Sequence, residues 1–141
     1  MLYQELRKRD LTGEETTQGE EYNKRRLGAE KESLAAAYME GCGAVILERN
    51  FRCRQGEIDL IAQHEEYLVF AEVKYRTTAE KGKPEESVGI TKQRKICRVA
   101  DYYRVLKGLG EKTSVRYDVV AIEGEKINWI KNAFPHHYRK S

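Results

Sequence analysis

The chain has 141 residues, of which 40% are hydrophobic and 35% are charged, and a formal net charge of +3 at pH 7. This length favours a single domain with a sizeable core, and no run reaches the roughly 18 apolar residues that a membrane helix needs. No basic and apolar leader opens the chain, so we expect a cytoplasmic protein with no membrane partner. Its three cysteines lack CxxC spacing, and we expect reduced thiols.

The composition divides the chain into three parts. We interpret residues 1–22 as an N-terminal extension, residues 23–134 as the folded domain and residues 135–141 as a C-terminal tail. The extension is crowded with charges and shows little apolar periodicity, which is typical of a flexible or weakly helical segment. We assign no chemistry to it.

The first predicted helix runs from about Asn23, a suitable N-cap, to Glu40, with Gly41 as its terminator. Its apolar stripe consists of Leu27, Leu34, Ala35, Tyr38 and Met39. Glu32 lies beside one edge of this stripe, and Glu30 lies beyond the other. Either carboxylate can turn toward a site where the helix meets a sheet. The alternative for each is an exposed glutamate that pairs along the helix.

A buried strand is predicted from Gly43 to Leu47, continuing toward Phe51, and a hairpin follows over residues 56–75. In the first hairpin strand, alternation puts Glu57, Asp59 and Ile61 on one face, with Ile58, Leu60 and Ala62 on the other. In the second, Leu68, Phe70, Glu72 and Lys74 share a face. We favour a four-residue closing loop, residues 64–67, because a two-residue turn would need a positive φ that glutamate tolerates poorly.

Either closure places Asp59 opposite Glu72, and Glu57 opposite Lys74. Two opposed carboxylates repel each other unless a positive charge lies between them. Mg²⁺ or Mn²⁺ would satisfy them, because these ions prefer oxygen ligands and form sites from two carboxylates and a backbone carbonyl. The Lys74 ammonium would then stabilise charge on a phosphoryl oxygen at the edge of the site. The alternative is a solvated face with an ion pair between Glu57 and Lys74.

After a polar loop over residues 76–86, a second helix is predicted from Lys92, capped by Thr91, to Lys107 or Gly108. Its apolar stripe consists of Ile96, Val99, Ala100, Tyr103 and Leu106. The opposite face is basic, which indicates contact with a phosphate backbone. The residues that we assign to nucleic-acid binding are Lys92, Arg94, Lys95 and Arg98.

Two strands complete the domain, from Thr113 to Ile122 and, after a turn, from Ile127 to Ile130 at a sheet edge. We expect Asp118 to form a structural pair with Arg116 or to contact a loop. The three histidines have no spacing that favours a metal site. The order α-β-β-β-α-β-β predicts an α/β domain in which helices flank a mixed sheet.

Asp59, followed after twelve residues by Glu72-Val73-Lys74, resembles the D…(D/E)xK signature of the restriction-endonuclease-like nucleases, the PD-(D/E)xK superfamily. The stretches GEIDLIA and LVFAEVKYR are similar to the YraN-like family, whose members resemble archaeal Holliday-junction resolvases, and the likeness extends from about Lys24 to Phe134. The resemblance implies a three-layer α/β/α restriction-endonuclease-like fold with a central mixed sheet. It also implies Glu32, rather than Glu30, as the helical acid of the site.

We therefore predict a metal-dependent nuclease that hydrolyses DNA phosphodiester bonds, with branched DNA as a substrate suggested by analogy. The predicted catalytic residues are Glu32, Asp59, Glu72 and Lys74, and the predicted ligands of Mg²⁺ or Mn²⁺ are Asp59, Glu72 and the Val73 carbonyl. Symmetrical cutting of four-way junctions would require a homodimer. One alternative is a nucleic-acid-binding module with weak, absent or partner-dependent cleavage. Another is a scaffold protein whose charged faces are only solvated.

Overall fold

The computed structural model describes residues 13–76 and 88–139, so most of the predicted loop and the first part of the predicted extension lie outside the described residues. The elements are α1 (Gly13–Gly41), β1 (Val45–Cys53), β2 (Gly56–His64), β3 (Tyr67–Arg76), α2 (Ile90–Leu106), β4 (Val115–Glu123) and β5 (Lys126–Phe134). This is the predicted order. Neither of the two described helices combines the length and the apolar character that a membrane crossing requires.

The five strands form one mixed sheet in the order β1-β2-β3-β4-β5. Strands β3 and β4 are parallel, and the other three neighbouring pairs are antiparallel. A parallel pair needs a crossover, which α2 provides. One helix covers each face of the sheet, which confirms the predicted three-layer α/β/α fold. Seven consecutive residues of β4, from Arg116 to Ile122, are buried, because β4 is covered on both faces.

Each face of the sheet has its own core. On one face, Ile96, Val99 and Tyr103 of α2 pack with Phe70 of β3 and Tyr117 of β4. The opposite core joins α1 to the central strands through Ala35, Ala36, Met39, Leu60, Val69, Val120 and Ile122. The two alanines let α1 lie close to the sheet. The carboxylate of Glu32, one turn before Ala36, is thereby brought to the border between helix and sheet.

Two predictions about α1 were wrong. The helix begins at Gly13, so Asn23 lies inside it and is not the N-cap. The predicted stripe is confirmed at Ala35 and Met39, but it was wrong at Leu27, Leu34 and Tyr38, which are exposed, and it omitted Ala36, which is buried. The helix contacts the sheet through Ala35, Ala36 and Met39, and the exposed Leu27, Leu34 and Tyr38 flank that contact. The predicted end at Gly41 is confirmed.

The start of α2 and the burial of β1 also differ from the predictions. Helix α2 begins at Ile90 after an extended Gly89, so Thr91 is its second residue and not its cap. The predicted stripe of α2 is confirmed except at Leu106, which is exposed in the last turn. Strand β1 was predicted to be buried, but Val45 and Leu47 are exposed, because β1 has a neighbour on one side only.

The hairpin has the predicted register but a tighter turn. Gln63 pairs with Leu68 as expected, and pairing continues to His64 and Tyr67, which leaves a two-residue turn. Glu65 adopts a φ of 54°, although the left-handed conformation costs an L-amino acid about 1–2 kcal/mol. The Gln63 side chain donates a hydrogen bond to the Glu65 carbonyl oxygen at 2.9 Å. This contact and the extra ladder pair offset the cost of the turn.

Asp118 confirms its predicted pairing with Arg116. Its fully buried carboxylate accepts hydrogen bonds from Arg116 at 2.9 to 3.1 Å and from the Trp129 indole at 2.8 Å. It also accepts one from the Asn132 backbone N–H at 2.9 Å, where the register between β4 and β5 shifts. The Asp118 carboxylate therefore replaces ladder contacts at this irregularity and joins β5 to the centre of the sheet.

We predict that Asp118→Ala lowers the free energy of unfolding by roughly 3–5 kcal/mol, because it leaves the Arg116 guanidinium buried without its carboxylate. Urea unfolding followed by circular dichroism measures the change. The matched control is Glu30→Ala, which breaks the exposed pair with Arg26 at 3.2 Å and should cost less than about 1 kcal/mol. Equal losses in the two variants would contradict the structural role of Asp118.

Candidate functional site

The candidate site begins where the pairing of β2 with β3 ends. The last ladder pair is Leu60 with Ala71. Beyond it, Asp59 Oδ2 accepts a hydrogen bond from the Val73 backbone N–H at 2.8 Å. The sequence had predicted that Asp59 and Glu72 are ladder partners, and this prediction was wrong. The carboxylate of Asp59 instead lies in the gap between the two strands.

Strand β2 rotates at Asp59. Ile58 packs with Ile61 on the α2 face, whereas Leu60 and Ala62 pack on the α1 face. The predicted alternation, which put Ile58 with Leu60, was wrong at this point. A side chain between two residues on opposite faces is directed along the sheet, which explains how Asp59 reaches β3. On the other side of β2, Asn50 has a φ of 53°, so β1 is irregular at the same level.

Glu72 supplies the second carboxylate from β3. Its side chain is only 9% exposed, and the Lys92 ammonium lies 3.7 Å from its Oε1. Burial and the nearby Asp59 charge raise the pKa of Glu72 from 4.5 to about 7, although Lys92 and Lys74 oppose the rise. Burial is also the main cause of the raised pKa of Asp59, and the Glu57 charge adds to it. Burial and the neighbouring acids thus outweigh the two lysines and favour the protonated form of both carboxyl groups.

Glu32 brings a third carboxylate from α1. Its pKa is raised by burial and then by the Asp59 charge, while the Asn50 side chain donates a hydrogen bond to it and lowers the pKa. Glu30 is placed elsewhere: it forms an exposed ion pair with Arg26 on the helix surface. The helix pattern did not decide between Glu30 and Glu32 as the acid near the sheet. In the structure, Glu32 is the one that lies close to Asp59.

The two lysines of the site come from different elements. Lys74 follows Glu72 by two residues on β3, and Lys92 reaches Glu72 from the first turn of α2. Both lower the pKa of Asp59 and of Glu72. The predicted alternative pairing of Glu57 with Lys74 does not form, because Glu57 contacts Arg52 at 3.4 Å. The Lys74 ammonium is left beside the carboxylates.

The donor set suits Mg²⁺ or Mn²⁺, although no three His, Cys, Asp or Glu side chains within residues 13–76 and 88–139 are close enough to hold an ion as they stand. Asp59 and Glu72 offer hard oxygen ligands. The N–H and C=O of one residue point to the same side of an extended strand, and the Val73 N–H points at Asp59. The Val73 carbonyl therefore also points toward the gap that holds the carboxylate.

The four basic residues predicted to bind nucleic acid fall into three groups. Lys92 contacts the acid Glu72. Arg94 and Lys95 are exposed on α2. Arg98 is half-buried, where it pairs with Asp101 at 3.3 Å and donates a hydrogen bond to the His137 carbonyl oxygen. Only Arg94 and Lys95 thus have the free, solvated side chains expected of phosphate contacts.

Sequence reasoning did not identify Asn50 as part of the site. Its hydrogen bond to Glu32 and its positive φ place it where β1 meets the acids. A signal was available, because an asparagine inside an apolar strand pattern is typical of a residue that adopts the left-handed conformation. The Lys92 contact with Glu72 was only partly foreseen, because it depends on the crossing of α2 over β3.

The chain is similar to proteins of an uncharacterised family. A model of "Uncharacterised protein family UPF0102" matches residues 31–122, which include the three acids and the basic part of α2. A UPF0102 protein of Lachnoclostridium phytofermentans is 53% identical over 112 residues, or 79% of this chain and 95% of that protein. One of Aliivibrio salmonicida is 46% identical over 79% of this chain and 93% of its own. One of Clostridium botulinum is 39% identical over 80% and 97%.

We predict that Glu72→Gln stabilises the metal-free protein increasingly as the pH rises. The folded-state pKa of about 7 lies above the ordinary glutamate value of 4.5, so the wild type loses stability as the pH rises from about 4.5 to 7. The free energy of unfolding of Glu72→Gln, relative to that of the wild type, should increase by roughly 2–3 kcal/mol over that interval and then level off. Urea unfolding in EDTA across this range measures it.

The control for this pH series is Glu30→Gln, an exposed amide substitution on α1. Its difference from the wild type should not vary over the same pH interval. A difference between Glu72→Gln and the wild type that stays constant with pH would show that Glu72 is not held in a protonated form by its surroundings.

Proposed function

The chain belongs to the uncharacterised protein family UPF0102, and from its own site we propose that it is a metal-dependent nuclease that hydrolyses phosphodiester bonds in DNA. The observation that carries the proposal is the meeting of Glu32, Asp59 and Glu72, from three different elements, with too little positive charge beside them. Such a cluster is costly unless a cation binds it.

The buried Asp118 provides a comparison within the same sheet. Its carboxylate is matched by the Arg116 guanidinium at 2.9 Å, and Trp129 and Asn132 donate further hydrogen bonds. Asp59 receives a backbone N–H but has no arginine at bonding distance among the described residues. A structural aspartate in this protein is fully compensated, and Asp59 is not. This contrast supports a ligand role for Asp59.

In the proposed mechanism, Asp59, Glu72 and the Val73 carbonyl would hold Mg²⁺ or Mn²⁺. When bound, the ion would supply Lewis-acid stabilisation of charge and would lower the pKa of water. Lys74 orients the attacking water and donates a hydrogen bond to a phosphoryl oxygen as its negative charge grows. Glu32 completes the acid cluster, and its raised pKa suits it to exchange a proton with that water.

The exposed Arg94 and Lys95 support a nucleic-acid substrate. They follow Lys92 on α2, so they can neutralise backbone phosphates on the strand that reaches the acids. We propose DNA as that substrate, with four-way and other branched forms as candidates. A homodimer is expected if four-way junctions are cut symmetrically. The three free thiols fit the proposed cytoplasmic location.

One observation favours a second candidate, a nucleic-acid-binding module that does not cleave. The Lys92 ammonium lies 3.7 Å from Glu72 and so partly supplies the positive charge that a metal ion would bring. In such a module Lys92 would compensate the acids permanently. DNA binding would then survive EDTA and would be unchanged in Glu72→Gln.

We predict that the wild type cleaves labelled linear duplex, flap or four-way-junction DNA in the presence of Mg²⁺ or Mn²⁺. Glu72→Gln and Lys74→Ala should each reduce the cleavage rate by about 10²-fold or more, since each removes charge stabilisation at the reacting phosphate. EDTA should abolish cleavage. Gel separation of the products measures the rate and identifies the preferred DNA shape.

Two glutamates of α1 provide a matched comparison in the same assay. Glu32→Gln should lower the rate by at least about tenfold, because Glu32 would exchange a proton with the attacking water. Glu30→Gln should leave the rate unchanged. Products that persist in EDTA or in Glu72→Gln would exclude the proposed metal site. Tight DNA binding without products from any substrate would favour the binding module.

A further inference from the structure

A second candidate site lies on the other side of the first turns of α2. The residues after β5 pack against this helix and, together with it, line a half-open cavity of about 430 Å³. Its lining consists of Arg94, Arg98, His136, His137, Tyr138 and Arg139. Three arginines, two histidines and a tyrosine form this lining, and it contains no acidic residue.

The tail that forms this cavity is held by side-chain contacts. His136 lies 2.6 Å from the Tyr117 hydroxyl and 3.5 Å from Asp101. The ring of His137 donates a hydrogen bond to the Gln93 side-chain oxygen at 2.8 Å, and the His137 carbonyl accepts one from Arg98. These contacts fix residues 136 and 137 on α2, so the cavity is a built feature and not the result of a frayed end.

The positive charge in the cavity is only partly compensated. Arg98 is paired with Asp101, which lies just outside the lining. Arg94 and Arg139 form no ion pair or hydrogen bond with any other residue in the described parts of the chain. Tyr138 belongs to the same lining, packs edge-on against the His136 ring with ring centroids 4.7 Å apart, and is still 84% exposed. An open aromatic ring beside unpaired arginines is the combination with which proteins bind single strands of nucleic acid.

We propose that this cavity binds a phosphodiester group of the nucleic acid, with Arg94 and Arg139 as its charged contacts, and that Tyr138 stacks on a base of the same strand. The proposal rests on the function proposed above, because it extends the nucleic-acid contact beyond the acid cluster. Lys92 contacts Glu72, and the next residue, Gln93, contacts His137. The two sites therefore flank one turn of α2.

The tail contact also defines the class of substrate. Stacking on Tyr138 requires an unpaired base, since the faces of paired bases inside a duplex are covered by their neighbours. The cavity therefore favours DNA in which a single strand extends from a duplex, such as a flap, over a blunt duplex. This preference is set by the tail, and the cleavage chemistry is set by the acids.

The test measures binding of a fluorescent single-stranded oligonucleotide and of a blunt duplex by anisotropy, in EDTA, so that cleavage has no part in it. Arg94→Ala and Arg139→Ala should each weaken single-strand binding about fivefold and reduce the slope of log K against log salt by about 0.7. Tyr138→Ala should weaken single-strand binding by about fivefold or more and duplex binding much less, while Tyr138→Phe should retain the wild-type affinity.

The matched control is Lys131→Ala, which removes an exposed charge from β5 where it lies over the Trp129 ring on the α1 side of the sheet. It should leave binding unchanged. Equal losses in Lys131→Ala and Arg139→Ala would overturn the proposal, since the effect would then be one of net charge. A second outcome would also overturn it. In that outcome Arg139→Ala abolishes the binding of inorganic phosphate, measured by calorimetry, but leaves oligonucleotide binding unchanged. The binding test is made in EDTA and does not depend on metal or on cleavage. A failure of the nuclease assay described above would therefore not decide its outcome.

Discussion

The fold and the candidate site both depend on the hydrogen bond from the Val73 backbone N–H to the Asp59 carboxylate. It forms where the ladder between β2 and β3 ends, so a side chain provides the acceptor that a paired strand would have provided. Asp118 does the same for the Asn132 N–H between β4 and β5. In both places an aspartate accepts a backbone donor where the ladder ends or shifts register, so that donor is not left unsatisfied.

The two aspartates differ in what surrounds them. Asp118 is bonded to Arg116, which also contacts His64 and the rings of Tyr67 and Trp129. Asp59 lies beside Glu72, and the pKa of both carboxyls is raised, chiefly by burial. The first arrangement stabilises the sheet. The second costs stability in the metal-free protein, and such a cost is expected at sites that bind a charged ligand.

Much of the fold could be predicted from local pattern, because element order, hairpin register and the α2 stripe depend on periodicity within short segments. The α1 stripe could be predicted only in part: Ala35 and Met39 were predicted correctly, but Ala36 was missed, because an alanine faces the sheet for steric reasons that a hydrophobicity pattern does not contain. In the site, Asp59 and Glu72 were found from their spacing on the hairpin. Asn50 and the Lys92 contact were missed or only suggested, because they depend on the bend of β1 and on the crossing of α2. The roles of all these residues in binding and catalysis are still predictions.

The most direct test of the central claim is a calorimetric titration of Mn²⁺ into the wild type and into Asp59→Asn near pH 7, repeated in buffers of different ionisation enthalpy. The amide oxygen of Asp59→Asn can still accept the Val73 hydrogen bond, so the fold is kept while the charge is removed. The account predicts that the wild type binds Mn²⁺ with release of protons from the carboxylates, and that Asp59→Asn does not bind it. Absence of Mn²⁺ binding by the wild type, or equal binding by the variant, would contradict the account.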